Sequence, residues 1–466
     1  MKTYILTLIC LFISFTAFGQ KKVLDHPDFE IWNTIQGQRI SRDGQLIIYS
    51  LEKGEADNHL KIKDGQGNLV FDHERSEGGQ FTFDSDYALF TIKAWQSDVR
   101  ELKRDKVKSE DMPNDTLAIF NPKNKSLLKI PHVRNYKLPV KWGGYVAYHL
   151  EAAEQDKDDK LKKASTKNGY HVVVRNLSSG SQDTIKYVTD YRFAEEGKTL
   201  AFITTGDEVR TPGVYIQELT SSQPQQVFSA EKGKYSRMTL SKSGERLAFV
   251  ADLDTTKVLV RPNALYTWTK GMSQAQKIVD AQSAPKDYRV SSDGNLSFSK
   301  DESKLYFGLA TAPVLQDTSL IDEEIVNVEV WTYDEPRLYT VQELQVENDK
   351  RKSYLTAIHL NQNNKLVQLA TTEYPDASLG NEGNAAFALI NTSLPYELQS
   401  QWEGGTYRDY SLVNVSTGAV KKVMDEIRGG VSFSPATKYA FGYSSADSTW
   451  FTYNIASGKR QDLTKG

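Results

Sequence analysis

The chain has 466 residues, 39% hydrophobic and 11% aromatic, enough for a large core or a long run of repeats. Its 57 basic and 60 acidic residues nearly cancel, which argues against a dedicated nucleic-acid surface, and 24 Tyr with 19 Phe suit strands, not coiled coil or disorder. The only cysteine, Cys10, lies in an N-terminal segment expected to be removed, so no disulfide, thiol nucleophile or thiolate metal site is expected in the mature chain.

Residues 1–19 read as a secretory signal peptide. Lys2 precedes the apolar run Tyr4–Ile13, and Ala17-Phe18-Gly19 supplies small residues for cleavage before Gln20. The run is short for a membrane span, and no other long apolar stretch follows. The expectation is therefore a periplasmic or secreted protein with no membrane contact after cleavage. The mature chain keeps 56 basic and 60 acidic residues, a net charge of −4.

Residues 20–466 are predicted to form one repeating domain. Phe29-Glu30-Ile31-Trp32 and Ile35 suggest the first strand of blade 1, or an edge that helps close the ring. A polar turn running into a short apolar strand then recurs, clearest at Ser241-Lys242-Ser243-Gly244 into Leu247-Ala248-Phe249-Val250. Eight copies align on Tyr49, Phe90, Tyr148, Phe202, Phe249, Phe307, Phe387 and Phe441, spaced 41, 58, 54, 47, 58, 80 and 54 residues apart. Each is followed by a hairpin-like pair, such as Leu60–Ile62 and Leu69–Phe71 across Asp64-Gly65-Gln66-Gly67. An inner strand, a second strand and an outer hairpin at such intervals predict an all-β fold, a β-propeller of about 7–8 four-stranded blades. A β-sandwich would need the same turn to arise eight times by coincidence.

Three segments interrupt the pattern. Residues 97–115 and 151–168 are charged insertions, read as solvated loops or a short helix. Residues 310–353 form a larger insertion, in which alternation through Val326, Val328 and Val330 predicts a strand ending at Asp334-Glu335-Pro336. Asp322-Glu323-Glu324 is the densest acidic cluster there. Its carboxylates could hold a peptide's amino terminus, although a solvated acidic loop has the same composition.

Catalytic machinery is not visible. Gly442-Tyr443-Ser444-Ser445-Ala446 comes nearest to a nucleophile elbow, but a strand follows it instead of a helix, and the last histidine, His359, precedes it. The seven histidines show no metal-ligand spacing, and no Gly-rich phosphate cradle occurs. No catalytic residue, metal or cofactor is therefore expected.

Asp111-Met112-Pro113-Asn114-Asp115-Thr116-Leu117-Ala118-Ile119, Val328–Leu338 and Arg351–Leu355 resemble the propeller half of large secreted serine peptidases of the prolyl oligopeptidase family, in its long bacterial form. The likeness runs from about residue 30 to the end. It implies a propeller that gates and positions peptide substrates for a C-terminal α/β-hydrolase domain bearing the Ser-Asp-His triad. That domain is not in this sequence, so the chain would be a fragment of a longer peptidase or a truncated relative, and the fragment is the expectation. The Ser-x-x-Gly-x-x-Leu-Ala-Phe units are shared with TolB-like propellers, and a stand-alone periplasmic binding scaffold is the alternative.

Overall fold

The computed structural model describes residues 24–464, apart from 26–27, 29–31, 55, 152–161, 221–222, 316, 327 and 329–330. The signal segment, and Phe29 and Ile31 of the expected first strand, lie outside the described residues. The fold is all-β, built from the four-stranded antiparallel meanders of a β-propeller. The chain divides into two units, Met1–Arg134 and Asn135–Gly466.

In the first unit, blade 1 is β1 (Asn33–Ile40), β2 (Leu46–Lys53), β3 (His59–Asp64) and β4 (Leu69–Glu74). Blade 2 is β5 (Ser76–Phe81), β6 (Ala88–Ile92), β7 (Thr116–Phe120) and β8 (Leu127–Ile130). The next two blades share a strand. A seven-stranded sheet runs through β9 (Val133–Lys137), β10 (Tyr145–Leu150), β11 (Tyr170–Asn176), β12 (Gln182–Phe193), β13 (Thr199–Thr204), β14 (Gly213–Glu218) and β15 (Gln225–Ser229). The first half of β12 pairs with β11 and the second half with β13, so this twelve-residue strand ends blade 3 and begins blade 4.

Blade 5 is β16 (Lys234–Leu240), β17 (Arg246–Asp252), β18 (Ala264–Thr269) and β19 (Gln276–Val279). In blade 6 two short pieces, β20 (Tyr288–Val290) and β21 (Ser297–Phe298), both pair with β22 (Lys304–Thr311), followed by β23 (Tyr354–His359) and β24 (Lys365–Gln368). Blade 7 is β25 (Asp376–Leu379), β26 (Phe387–Thr392), β27 (Tyr407–Asn414) and β28 (Val420–Arg428). Blade 8 is β29 (Val431–Phe433), β30 (Tyr439–Ser444), β31 (Thr449–Asn454) and β32 (Arg460–Asp462). Among the described residues no sheet mixes strands from the two ends of the chain.

The core lies between neighbouring blades. In the first unit Ile48, Leu60 and Ile62 meet Ala88, Phe90, Ala118 and Phe120. In the second unit Phe249 faces blade 4, among Ile203, Val214 and Ile216, while Ala248 and Val250 face blade 6, against Leu305 and Phe307. The repeat aromatic thus points to the preceding blade and its neighbours point to the next one, as a two-residue strand period requires. The weaker copies break this rule. In blade 7 it is Ala388 that faces blade 6, and Phe387 packs toward blade 8. In blade 8 Ala440 is buried while Phe441 is 40% exposed. The aromatic alignment of these two copies is one residue out of register, and one residue reverses the face.

The repeating turn has a local cause. In five blades the hydroxyl of Ser41, Thr82, Ser241, Ser299 or Ser434 accepts the amide hydrogen five residues on, at 2.9, 3.1, 3.1, 3.0 and 3.1 Å. The amide three residues on donates back to the carbonyl of the same Ser or Thr. That closure places the fourth residue in left-handed backbone: Gly44, Ser85, Gly244, Glu302 and Thr437 have φ of 73°, 63°, 80°, 57° and 55°. Glycine adopts this conformation freely and a β-branched residue does not. The Thr437 hydroxyl is also buried without a hydrogen-bond partner. Thr437→Gly is accordingly expected to stabilise the fold by about 1 kcal/mol, read as a higher urea midpoint.

These turns are laced from blade to blade in the second unit. The Lys141 amide donates to the Glu195 carbonyl at 3.1 Å, and the Glu196 amide donates to the Lys242 carbonyl at 2.9 Å. The Glu302 carboxylate accepts the Ser243 amide and hydroxyl at 2.6 and 2.9 Å. The Lys300 amide donates to the Glu382 carbonyl at 3.0 Å.

The expected strand through Val326, Val328 and Val330 is not found. Val326 and Val328 lie outside any strand, 79% and 68% exposed, and Val330 is outside the described residues. The strand that the insertion leaves, β22, has no vacant edge. β22 pairs with β23 from Lys304↔His359 to Leu309↔Tyr354, and β20 and β21 occupy its other side. Alternating apolar residues without a partner strand form no ladder.

Candidate functional site

The connections sort by length. Those from first to second strand and from third to fourth span four to seven residues in every blade, counting from β21 in blade 6. Apart from the eight-residue crossing 280–287 from β19 to β20, the long ones are six in number and join a second strand to a third. They are residues 93–115, 151–169, 205–212, 253–263, 312–353 and 393–406. Each of these blades therefore has a tight end and a decorated end, and surface loops on a rigid scaffold are where binding residues collect.

The decorations are held by specific bonds. Arg261 pairs with the buried Asp252 and donates to the Thr256 carbonyl at 2.8 Å, folding the 253–263 loop onto β17. Lys162 donates to the carbonyls of Thr205 and Gly206 at 2.8 and 2.7 Å, tying the blade 3 insertion to the blade 4 loop. In blade 7, Tyr396 donates to Asp409 at 2.6 Å, and that carboxylate pushes the phenol up to about 12.

The largest insertion carries a helix, α2 (Tyr339–Lys350), which follows α1 (Gln96–Arg104) of blade 2 in chain order. Arg337 fastens it. Its Nη1 donates to Gln345 at 2.5 Å and pairs with Asp349 at 3.2 Å, and its Nε lies 3.7 Å from Glu397 of the blade 7 loop. Gln401 of that loop donates to the Pro336 carbonyl at 2.6 Å. Asp334-Glu335-Pro336-Arg337 is thus the joint between two decorated loops. The insertion leaves Trp331, Tyr333, Leu338 and Leu344 exposed.

Asp322, Glu323 and Glu324 form a 3-10 turn on this insertion, all three exposed. Glu324 accepts the Ile321 amide at 3.1 Å. They line neither of the two described clefts. Ser444 donates to Asp447 at 2.9 Å inside the β30–β31 hairpin, a structural role without a histidine partner. His149 and His359 are buried against the carbonyls of Val188 and Val415. Among the described residues no group of His, Cys, Asp or Glu could hold a metal ion, and no helix is long and apolar enough to cross a membrane.

Sequence reasoning missed the cleft beside α1 in the first unit. It has a volume of about 360 Å³ and is lined by Asp57, Arg75, Glu77, Lys93, Arg100 and Asp115, among others. The signal was present in the charged run: Gln96, Val99, Arg100 and Lys103 recur at helical spacing, and all four line the cleft.

No family model matches this chain, and no curated protein matches it. Solved structures do. An oligogalacturonate lyase in complex with manganese is 11% identical over 76% of this chain and 84% of its own, with a TM-score of 0.37. The acylaminoacyl peptidase of Pyrococcus horikoshii is 9% identical over 91% of this chain, with a TM-score of 0.34; the match spans 58% of the peptidase. The β-propeller domain of the Trilobed protease from Pyrococcus furiosus is 11% identical over 85% of this chain and 97% of its own, with a TM-score of 0.34. No residue role is carried over from them. Structural neighbours of this chain include propeller-containing peptidases of the prolyl oligopeptidase family, all at low identity.

Proposed function

We propose that this chain is the substrate-gating propeller of an exported serine peptidase of the prolyl oligopeptidase type, whose catalytic triad lies in an α/β-hydrolase domain outside these 466 residues. The observation that supports it is the segregation of loops. Six blades carry a long insertion between the second and third strands, an arrangement suited to screening and positioning a peptide, while in the second unit the first-to-second-strand turns are laced to one another. The family resemblance of residues 111–119 and 328–338 points the same way. In this reading the propeller binds and sieves, and the chemistry is done elsewhere.

Asp322, Glu323 and Glu324 then offer carboxylates to the amino terminus of a substrate. The test uses the native protein isolated from its source cells, assayed on short peptides with and without a serine-directed inhibitor. Hydrolysis abolished by the inhibitor is expected, and hydrolysis indifferent to it contradicts the proposal. Replacing all three acidic residues by Gln in that protein is expected to raise KM about tenfold for peptides with a free amino terminus, leaving kcat nearly unchanged. An unchanged KM would remove the three residues from the site without touching the gating role.

A further inference from the structure

We propose that the cleft formed by the β2–β3, β4–β5 and β6–β7 connections of the first unit, the last of which carries α1, binds a carboxylate carried on a small peptide-like ligand, either a free carboxyl terminus or an acidic side chain. This binding does not depend on a catalytic domain elsewhere.

The lining brings four cationic side chains, Arg75, Lys93, Arg100 and Lys103, together with three carboxylates, Asp57, Glu77 and Asp115. All three carboxylates are already engaged. Asp57 accepts the Gln96 amide at the start of α1 at 3.0 Å. Asp115 accepts Lys93 at 2.7 Å, and Glu77 pairs with Lys93 at 3.4 Å and accepts Asn58 at 3.2 Å. Burial alone would lower the Lys93 ammonium, but Asp115 and Glu77 outweigh it and raise it, so Lys93 stays charged. The acids of the cleft are thus already held, two by Lys93 and one by the Gln96 amide.

Arg75 is the best-placed donor. Its guanidinium lies 4.3 Å over the Trp95 ring, and its Nη1 donates to the Lys93 carbonyl at 3.1 Å. Stacking and that bond fix the plane of the fork, which suits bidentate capture of a carboxylate. Its Nε is buried and has no acceptor, so the guanidinium is under-satisfied as it stands. Arg75 also holds φ of 56°, a conformation costly for a non-glycine residue. Opposite it, α1 turns Arg100 and Lys103 toward the same space, one helical turn apart, with Val99 and Pro113 as apolar wall. The volume is that of a small-ligand site.

The test is calorimetric titration of the intact chain with three probes: trialanine, trialanine amide and N-acetyl-aspartate amide. Binding of trialanine that is lost on amidation identifies a carboxyl terminus, and binding of the acetyl-aspartate amide identifies an acidic side chain; either supports the proposal. In both cases Arg75→Gln is expected to weaken binding at least about tenfold, and the exposed Lys103→Gln about threefold. Lys103→Gln keeps the test decisive if Arg75→Gln does not fold. No heat from any probe overturns the proposal, as does binding that is unchanged in a folded Lys103→Gln or Arg75→Gln variant.

Discussion

Phe249→Ala is expected to cost about 4 kcal/mol, the largest single loss among the predictions made for this chain. Phe249 is fully buried on β17, the second strand of blade 5. Its ring is stacked on Tyr266, with centroids 5.3 Å apart and planes within 3°, and Phe228 packs at 5.4 Å. Around it lie Ile203, Val214 and Ile216 from blade 4. Truncation removes the ring from both the blade's own aromatic stack and the seam with its neighbour, and rigid strands on both sides limit collapse into the void. The measurement is the urea midpoint of purified protein. Phe441→Ala is the informative companion. Phe441 occupies the same place in the sequence repeat but is 40% exposed, and its loss is expected to stay within about 1 kcal/mol.

Gly197→Ala is expected to cost about 3 kcal/mol by a different route. A Cβ at this position would stand 1.9 Å from the Ser243 carbonyl oxygen, part of the next blade's turn. The obstacle is backbone, so no side chain can swing aside. Relief requires separating the turns of blades 4 and 5, which are joined next door by the Glu196 amide and the Lys242 carbonyl. Gly430→Ala is the control. Nothing lies within 4 Å of its ideal Cβ and its φ is not in the left-handed region, so its effect on the urea midpoint is expected to be near zero.

The two predictions show what the residues announced and what they concealed. Strand Phe249 and its turn were legible because a hydroxyl five residues before an amide, and a left-handed residue between them, leave a recurring Ser-x-x-Gly signature. The expectation of about 7–8 blades followed from it. The register of blades 7 and 8 did not, since Phe387 and Phe441 attract the eye while Ala388 and Ala440 do the packing. Val326 and Val328 misled because alternation says nothing about whether a sheet edge is available. The shared strand β12 was equally hidden, because the turn that would separate two strands is simply missing from Gln182–Phe193.

The candidate sites were less legible still. Arg75, Lys93 and Asp115 are far apart in sequence and come together only through the β4–β5 turn and the β6–β7 connection. Charge density drew attention to Asp322–Glu324, which the fold leaves on an exposed turn. Close neighbours in sequence make a conspicuous cluster, whereas a cleft is made by distant ones.

The central claim is that this propeller serves a catalytic domain on the same polypeptide, and the intact mass of the native protein from its source cells tests it most directly. The account predicts a polypeptide well above 52.5 kDa that contains these blades and continues into a hydrolase domain. A native chain at or below 52.5 kDa would contradict it and would make this propeller a binding module in its own right.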